Sequence, residues 1–399
     1  MNNGSRVAIT GIGCLSASGN SLTDNMSAIF SGERSAGASR KLISSHHSSY
    51  PVFEVKNEFA CFKEDQKKIL SRTSMLGLAA AGEALKDAGL EREYIQGLNV
   101  GVCMGTTVGS TMNDEQFYRD FRNRLEPEMT AIERFLNSNP ASSIAREYSL
   151  TGLCQTIVNA CSSGTDAIGI GASWIRSGLC DIVIAGGADE LSRISYNGFI
   201  SLMITDEELC RPFDRKRKGL NLGEGSGVLI LESTESIKKR KKDPRAFVLG
   251  YGSACDGYHL TAPHPQGKGL KAALKDAFID SGKRKEDIAF INAHGTATPD
   301  NDRVEATVLK EMLAGIPFLS TKGYTGHTLG AAGAIEAGYT VACLEAGMIP
   351  ANAGFAEMDP ELGISPVDRN TGISGKTAIS ESLAFGGHNS ALIISLEDV

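Results

Sequence analysis

Cys161 lies in the run Ile157-Val-Asn-Ala-Cys161-Ser-Ser-Gly164, where the apolar stretch Thr156 to Val158 gives way to small residues and then to a helical pattern from Thr165 to Arg176. A cysteine between a buried strand and the first turn of a helix meets unpaired backbone N–H groups and the positive end of the helix dipole. Both favour the thiolate, the nucleophilic form, so the expectation is a thiol pKa below its ordinary value of about 8.5. Small neighbours let a substrate carbonyl approach closely. A single such cysteine is ordinarily an inert core residue, so its companions decide.

Two histidines stand in similar settings. A buried strand over Asp287 to Ala293 ends at His294, in Asn292-Ala-His294-Gly-Thr-Ala-Thr-Pro. Further on comes Ser320-Thr-Lys322-Gly-Tyr-Thr-Gly-His327-Thr-Leu-Gly-Ala-Ala-Gly. Either histidine alone would ordinarily be a core residue. Together they form a constellation with Cys161, because sites in open α/β sheets gather at the carboxyl ends of strands. Near the end, Leu383-Ala-Phe385-Gly-Gly-His388 precedes a strand over Ala391 to Ser395. The paired glycines suggest either an ordinary hairpin turn or a turn whose backbone N–H groups point into a site.

The elements that carry these residues read as α/β. Arg6 to Gly13 reads as a strand ending in a tight glycine turn, and a dinucleotide fingerprint is rejected because the third glycine comes only at Gly19. Residues 31–60 read as loop. Lys63, Lys67, Lys68 and Arg72 lead into a helix with Met75, Leu78, Ala79, Gly82 and Leu85 on its apolar stripe, ending near Gly89. Leu98 to Met104 and Asp181 to Gly187 are buried strands, and two helices are expected around Phe117 and Ile132. The halves resemble each other. Arg6, Gly11 and Gly13 recur as Arg245, Gly250 and Gly252. Gly89, Glu93, Ile95 and Asn99 recur as Gly282, Glu286, Ile288 and Asn292, and Gly164 and Gly178 as Gly333 and Gly347. This points to a duplicated unit, residues 1–240 carrying the nucleophile and 241–399 carrying both histidines. The charged run Lys238 to Lys242 before Asp243-Pro244 reads as a solvated helix end at the boundary.

Composition narrows the partners. A net charge of −7 gives no gross attraction to nucleic acid or acidic membranes, so an acidic partner must meet a local basic patch. No apolar run approaches the ~20 residues of a membrane span. The N-terminus runs directly into a strand, without signal-peptide character. Nine cysteines without Cys-x-x-Cys spacing argue against a disulfide framework or zinc site, and for a cytoplasmic location.

Assembled, these motifs resemble the elongating β-ketoacyl-[acyl-carrier-protein] synthases. To the runs above they add Arg211-Pro-Phe-Asp214, Gly223-Glu-Gly-Ser-Gly and Tyr258-His-Leu-Thr261. The resemblance implies a thiolase-like fold, duplicated βαβαβαββ halves in five α-β-α-β-α layers, usually as a homodimer, with a heterodimer the alternative. It implies a decarboxylative Claisen condensation without a cofactor or catalytic metal, on acyl and malonyl groups delivered by acyl-carrier protein. Cys161 would hold the acyl group. His294 and His327 would donate to the enolate oxygen, with Lys322 and its carboxylate partner Glu305 ordering them. The backbone N–H groups of Cys161 and Phe385 would form a second oxyanion hole, with Phe385 gating the site. Thr296, Thr298 and Thr261 would bind phosphopantetheine and Val108 would set acyl-pocket depth. Lys63, Lys67, Lys68 and Arg211 would dock the carrier.

Four positions depart from the family pattern: Ala384 replaces a glycine, His388 a threonine, Gly323 a common serine, and Glu381 an asparagine that often joins Asn292 and Glu336 in a structural cation site. These shift the expectation from housekeeping fatty-acid elongation towards a polyketide or polyene pathway. Other readings are a thiolase-like acyl transferase, which needs a second acid/base cysteine, a decarboxylase without condensation, and a non-catalytic chain-length-factor-like partner, which typically lacks the nucleophile.

Overall fold

The computed structural model describes residues 7–42, 46, 48–57, 59–60, 62–107, 109 and 115–398. Its strands in chain order are β1 (Val7–Leu15), β2 (Val100–Gly105), β3 (Cys154–Ile157), β4 (Ile182–Asp189), β5 (Gly225–Ser233) and β6 (Ala246–Cys255). They continue with β7 (Ile288–Asn292), β8 (Phe318–Leu319), β9 (Met348–Ile349), β10 (Thr371–Gly372), β11 (Thr377–Leu383) and β12 (His388–Ser395). All except the small β9–β10 pair join one sheet in the order β3-β2-β4-β5-β1-β6-β12-β11-β7-β8.

The seam is at the centre, where β1 pairs antiparallel with β6, Val7 opposite Val248. Outward from it each half repeats the same pairings. β1–β5 and β5–β4 are antiparallel, then β4–β2 and β2–β3 parallel. On the other side β6–β12 and β12–β11 are antiparallel, then β11–β7 and β7–β8 parallel. The duplication read from scattered glycines is thus a duplication of strand order and direction.

Two helices, Ser163–Arg176 and Ala332–Ala346, fill the middle layer. Their core joins Ile168, Ala172, Ala334 and Ala337 to Val183 and Leu231 of one half-sheet and Phe290 and Leu392 of the other. Helix Arg72–Ala88 covers the outer face of the first half, with Leu76, Ala80 and Ala84 in its core. Helices Lys268–Ser281 and Pro299–Met312 cover the second, with Leu270, Leu274 and Leu309. The result is the five-layer arrangement expected of the thiolase-like fold.

Four local expectations change. Gly11 and Gly13 do not end a strand but sit within β1, because helix Arg72–Ala88 lies directly on them; a Cβ at Gly13 would be 2.0 Å from the Ala80 carbonyl oxygen. On that helix the expected Leu78 and Leu85 are buried, together with Leu76, Ala80, Ala81 and Ala84, while Met75, Ala79 and Gly82 are only partly buried. Residues 115–148 hold three helices, Glu115–Arg122, Thr130–Asn137 and Pro140–Tyr148, instead of two. Asn99 precedes β2 whereas Asn292 ends β7, so that pair is not equivalent. The glycines Gly89 and Gly282, both at φ +66°, do end equivalent helices. Among the described residues no helix is long and apolar enough to cross a membrane.

Candidate active site

The nucleophile sits on a strained corner. β3 ends at Ile157, Ala160 takes φ +48°, and a short 3-10 turn over Ala160–Ser162 leads into helix Ser163–Arg176. A left-handed residue with a Cβ costs about 1–2 kcal/mol, so the corner needs holding. Asn159 N–H donates to Ser163 Oγ (2.8 Å), which donates to the Ala160 carbonyl (2.6 Å). The buried Asp166 carboxylate accepts from Asn159 Nδ2 (3.0 Å), Ser162 Oγ (2.9 Å) and Tyr251 OH (2.8 Å). The second half repeats the corner at Leu329, φ +53°, one residue before Gly330. There glycine stands where the first half has sulfur, and the two corners meet: a Cβ on Gly164 would be 2.8 Å from the Gly330 oxygen.

Cys161 Sγ lies 3.1 Å from His327 Nε2. Leu329 N–H donates to His327 Nδ1 at 3.3 Å, so the ring hydrogen is on Nε2 and faces the sulfur. The Lys322 ammonium donates to His294 Nδ1 (3.0 Å) and to the His294 carbonyl (2.7 Å), which leaves the His294 hydrogen on Nε2 as well. The rings meet edge to face with centroids 5.2 Å apart. Burial, then the Lys322 charge, holds both imidazoles well below the ordinary histidine range. They are neutral N–H donors converging beside a thiol.

The thiol itself departs from expectation. Burial pushes Cys161 up to about 12, against the pull of the Lys322 charge and the Phe385 N–H. The helix terminus does not outweigh desolvation of an almost fully covered sulfur. Lys322 also departs from expectation: its carboxylate partner is Glu336, on helix Ala332–Ala346, not Glu305. Glu305 instead accepts from the backbone N–H groups of His294 (2.6 Å) and Gly295 (2.7 Å). It fixes the histidine loop from helix Pro299–Met312 in the outer layer.

A cavity of about 250 Å³ opens onto the sulfur and is lined by Cys161, His294, His327, Thr261, Thr296, Thr298, Phe199 and Phe385. Thr296 and Thr298 hydroxyls bond each other at 2.9 Å. Phe385 stacks on Phe199 with centroids 5.5 Å apart. The turn carrying Phe385 is tied to the neighbouring loop by Gly386 N–H to the Leu260 carbonyl (2.7 Å).

Residues 4–236 match the family model for the β-ketoacyl synthase N-terminal domain, and residues 245–356 that for its C-terminal domain. The chain belongs to the β-ketoacyl synthase family. It is 34% identical over 97% of both chains to the 3-oxoacyl-[acyl-carrier-protein] synthase 2 of Synechocystis sp.. The solved ishigamide ketosynthase/chain length factor superposes with TM-score 0.92 at 29% identity, covering 99% of this chain and 100% of that one. A type II polyketide synthase ketosynthase solved with its acyl-carrier protein gives TM-score 0.89 at 26% identity, covering 99% and 100%.

In this β-ketoacyl synthase the residues singled out by sequence fall into three groups. Cys161, His294, His327, Phe385 and the three threonines share one cavity, with Lys322 and Glu305 directly behind His294. Val108 lies outside the described residues. Of the basic residues, Lys67 and Lys68 on helix Glu64–Ile69 pair with Glu64 and Asp65, and Arg211 pairs with Glu208. That helix packs beside helix Thr130–Asn137, where Arg134 donates to the Lys68 carbonyl. Sequence reading missed Glu336 as the lysine's partner, and it missed Asp166 and Phe199. The available signal for Glu336 was an acid in the otherwise apolar stretch Ala332-Gly-Ala-Ile-Glu336-Ala-Gly.

Proposed function

We propose that the protein is a 3-oxoacyl-acyl-carrier-protein synthase working in two steps at this cavity. In the first, the Cys161 sulfur attacks a carrier-bound acyl thioester. The new C–S bond replaces the old one, and the thiol proton leaves on the pantetheine sulfur. In the second, malonyl-carrier protein loses CO2. The electron pair enters a thioester enolate whose oxygen accepts from His294 and His327 Nε2–H, and the α-carbon attacks the acyl-cysteine. The C–C bond forms, Cys161 leaves as a thiolate that takes up one proton from solvent, and 3-oxoacyl-carrier protein is released. The Cys161 and Phe385 N–H groups accommodate the oxygen of the tetrahedral intermediate. Thr261, Thr296 and Thr298 line the path of the pantetheine arm, and the phenylalanine pair closes the acyl end.

The observation that carries this reading is the pair of neutral Nε2–H donors locked by Leu329 N–H and Lys322 beside a cysteine. A thiolase reading lacks support, since Cys343 is buried within helix Ala332–Ala346 and pushed up to about 12. The free cysteines among the described residues fit a cytoplasmic setting. We place the division between the two halves at residues 240 and 241, a reading supported by the repeated strand pairings on either side of the β1–β6 seam. Intact-mass analysis against a panel of acyl-carrier proteins tests the reading. Wild type is expected to gain an acyl adduct and Cys161→Ala none. Failure of saturated, unsaturated and aryl donors alike would sink it and favour a non-catalytic partner or a decarboxylase.

A further inference from the structure

The ammonium that orders His294 is carried by a four-residue helical turn, Lys322–Thr325. That turn is gripped from outside by a residue remote in sequence. Arg34, in the segment after helix Leu22–Phe30, donates from Nε to the Gly323 carbonyl at 2.6 Å and from Nη2 to the Cys210 carbonyl at 2.7 Å. Its Nη2 also lies 3.8 Å from the Cys210 sulfur, and that thiol donates to the Lys322 carbonyl at 3.6 Å. Gly323 is pressed from the other side, where a Cβ would be 2.5 Å from the Ala353 carbonyl oxygen. The turn is thus clamped between Ala353 and a side chain that spans two chain segments.

We propose that Arg34 is a positioning residue for the condensation: its guanidinium, bridging the Gly323 and Cys210 carbonyls, fixes the turn from which Lys322 reaches His294. The side chain suits this task. A guanidinium presents donors in a rigid planar fork, so one group satisfies two carbonyls at a set spacing. A lysine offers a compact point charge and cannot reproduce that bridge. Charge-assisted bonds of this kind are roughly twice as strong as neutral ones. Without them the Gly323 carbonyl loses its partner and the turn is free to shift. The ammonium is also held by Glu336 and the His294 carbonyl, so a shift of the turn pulls the 3.0 Å Lys322–His294 bond out of line. The consequence falls on His294: the donor that fixes its tautomer is displaced, and so is the charge that adds to burial in keeping it neutral.

The inference rests on the condensing role argued above, so its test has an arm that needs no activity. Full-length wild type, Arg34→Met and Arg34→Lys would be labelled with nitrogen-15 histidine and titrated by NMR. In wild type, His294 is expected to keep its Nε2–H tautomer as pH falls past the ordinary histidine value of about 6.5. In Arg34→Met its protonation should begin at a higher pH than in wild type, with Arg34→Lys between. In parallel, condensation should fall about tenfold or more in Arg34→Met while acylation of Cys161 stays within about threefold, a loss confined to the second step. An unchanged His294 titration in Arg34→Met would overturn the proposal. So would acylation and condensation falling together, the mark of a merely structural role. A wild type that never condenses would defeat the synthase reading, and the His294 titration would still decide the role of Arg34.

Discussion

Lys322 donates to Nδ1 of His294, and that hydrogen bond decides which nitrogen faces the cavity. The same ammonium adds to burial in holding both imidazoles neutral and is the main charge opposing the burial of the Cys161 thiol. Because both folded imidazole pKa values are depressed, wild-type condensation should show no acid limb from them as pH falls past about 6.5. Lys322→Met removes the charge but not the burial, so both values rise and the acid limb should move to higher pH than in wild type. The enolate donors are then weakened, and condensation should drop about 100-fold at neutral pH, read as CO2 release from malonyl-carrier protein. An unchanged rate and profile would show that Lys322 does not set the histidines' state. The chemistry was legible at this scale because a few short runs hold it: Cys161, His294, Lys322 and His327 each sit where a strand or turn ends. What was not legible required knowing what surrounds them. A helix terminus beside Cys161 can be read locally, but its burial cannot. Choosing Glu336 over Glu305 as the lysine's partner depends on which helix lies in the middle layer and which outside.

The glycines of the two central strands show the same boundary between local and long-range information. Gly11 and Gly13 in β1 match Gly250 and Gly252 in β6, and the correspondence was visible in the sequence. Its cause was not, since a glycine in a strand is usually read as a turn or bulge. Here each pair lets a helix carbonyl approach the strand: Gly13 faces Ala80 and Gly252 faces Ala273, where an added Cβ would sit 2.0 Å and 1.9 Å from the oxygen. Backbone against backbone cannot be relieved by a rotamer change. Gly13→Ala and Gly252→Ala should each destabilise by about 3 kcal/mol or more, at the upper end of overpacking costs. Gly37→Ala, which meets nothing within 4 Å, should stay within about 0.5 kcal/mol. Denaturant midpoints at constant slope measure all three. Equal midpoints across the set would mean the layers are not held at the spacing the glycines permit.

At the scale of the whole molecule, the sheet's two edges are treated differently. β8 has two residues, and its outer side is met by Val367, whose N–H donates to the Phe318 carbonyl. β3, at the other edge, carries exposed residues at Cys154 and Gln155 and is flanked by Leu153 and Val158, 41% and 64% exposed. Leu136, 70% exposed, lines the same surface cavity as Cys154. An uncovered edge strand with apolar flanks is a template for pairing with another chain. The simplest occupant is a second copy, edge to edge across a twofold axis, which satisfies the free backbone groups and buries the flanks on both sides. Cys161 follows the end of β3 by four residues, so such a seam would brace the nucleophile corner in both subunits. Leu153→Glu with Val158→Glu should therefore turn a protein of two-chain mass into one of single-chain mass by light scattering. Acylation of Cys161 should fall in the separated chains, because the strand leading to the corner loses its outer neighbour. If the wild type itself runs as a single chain, the homodimer is refuted and the edge is left for a related subunit. If the double variant stays dimeric, the seam lies elsewhere.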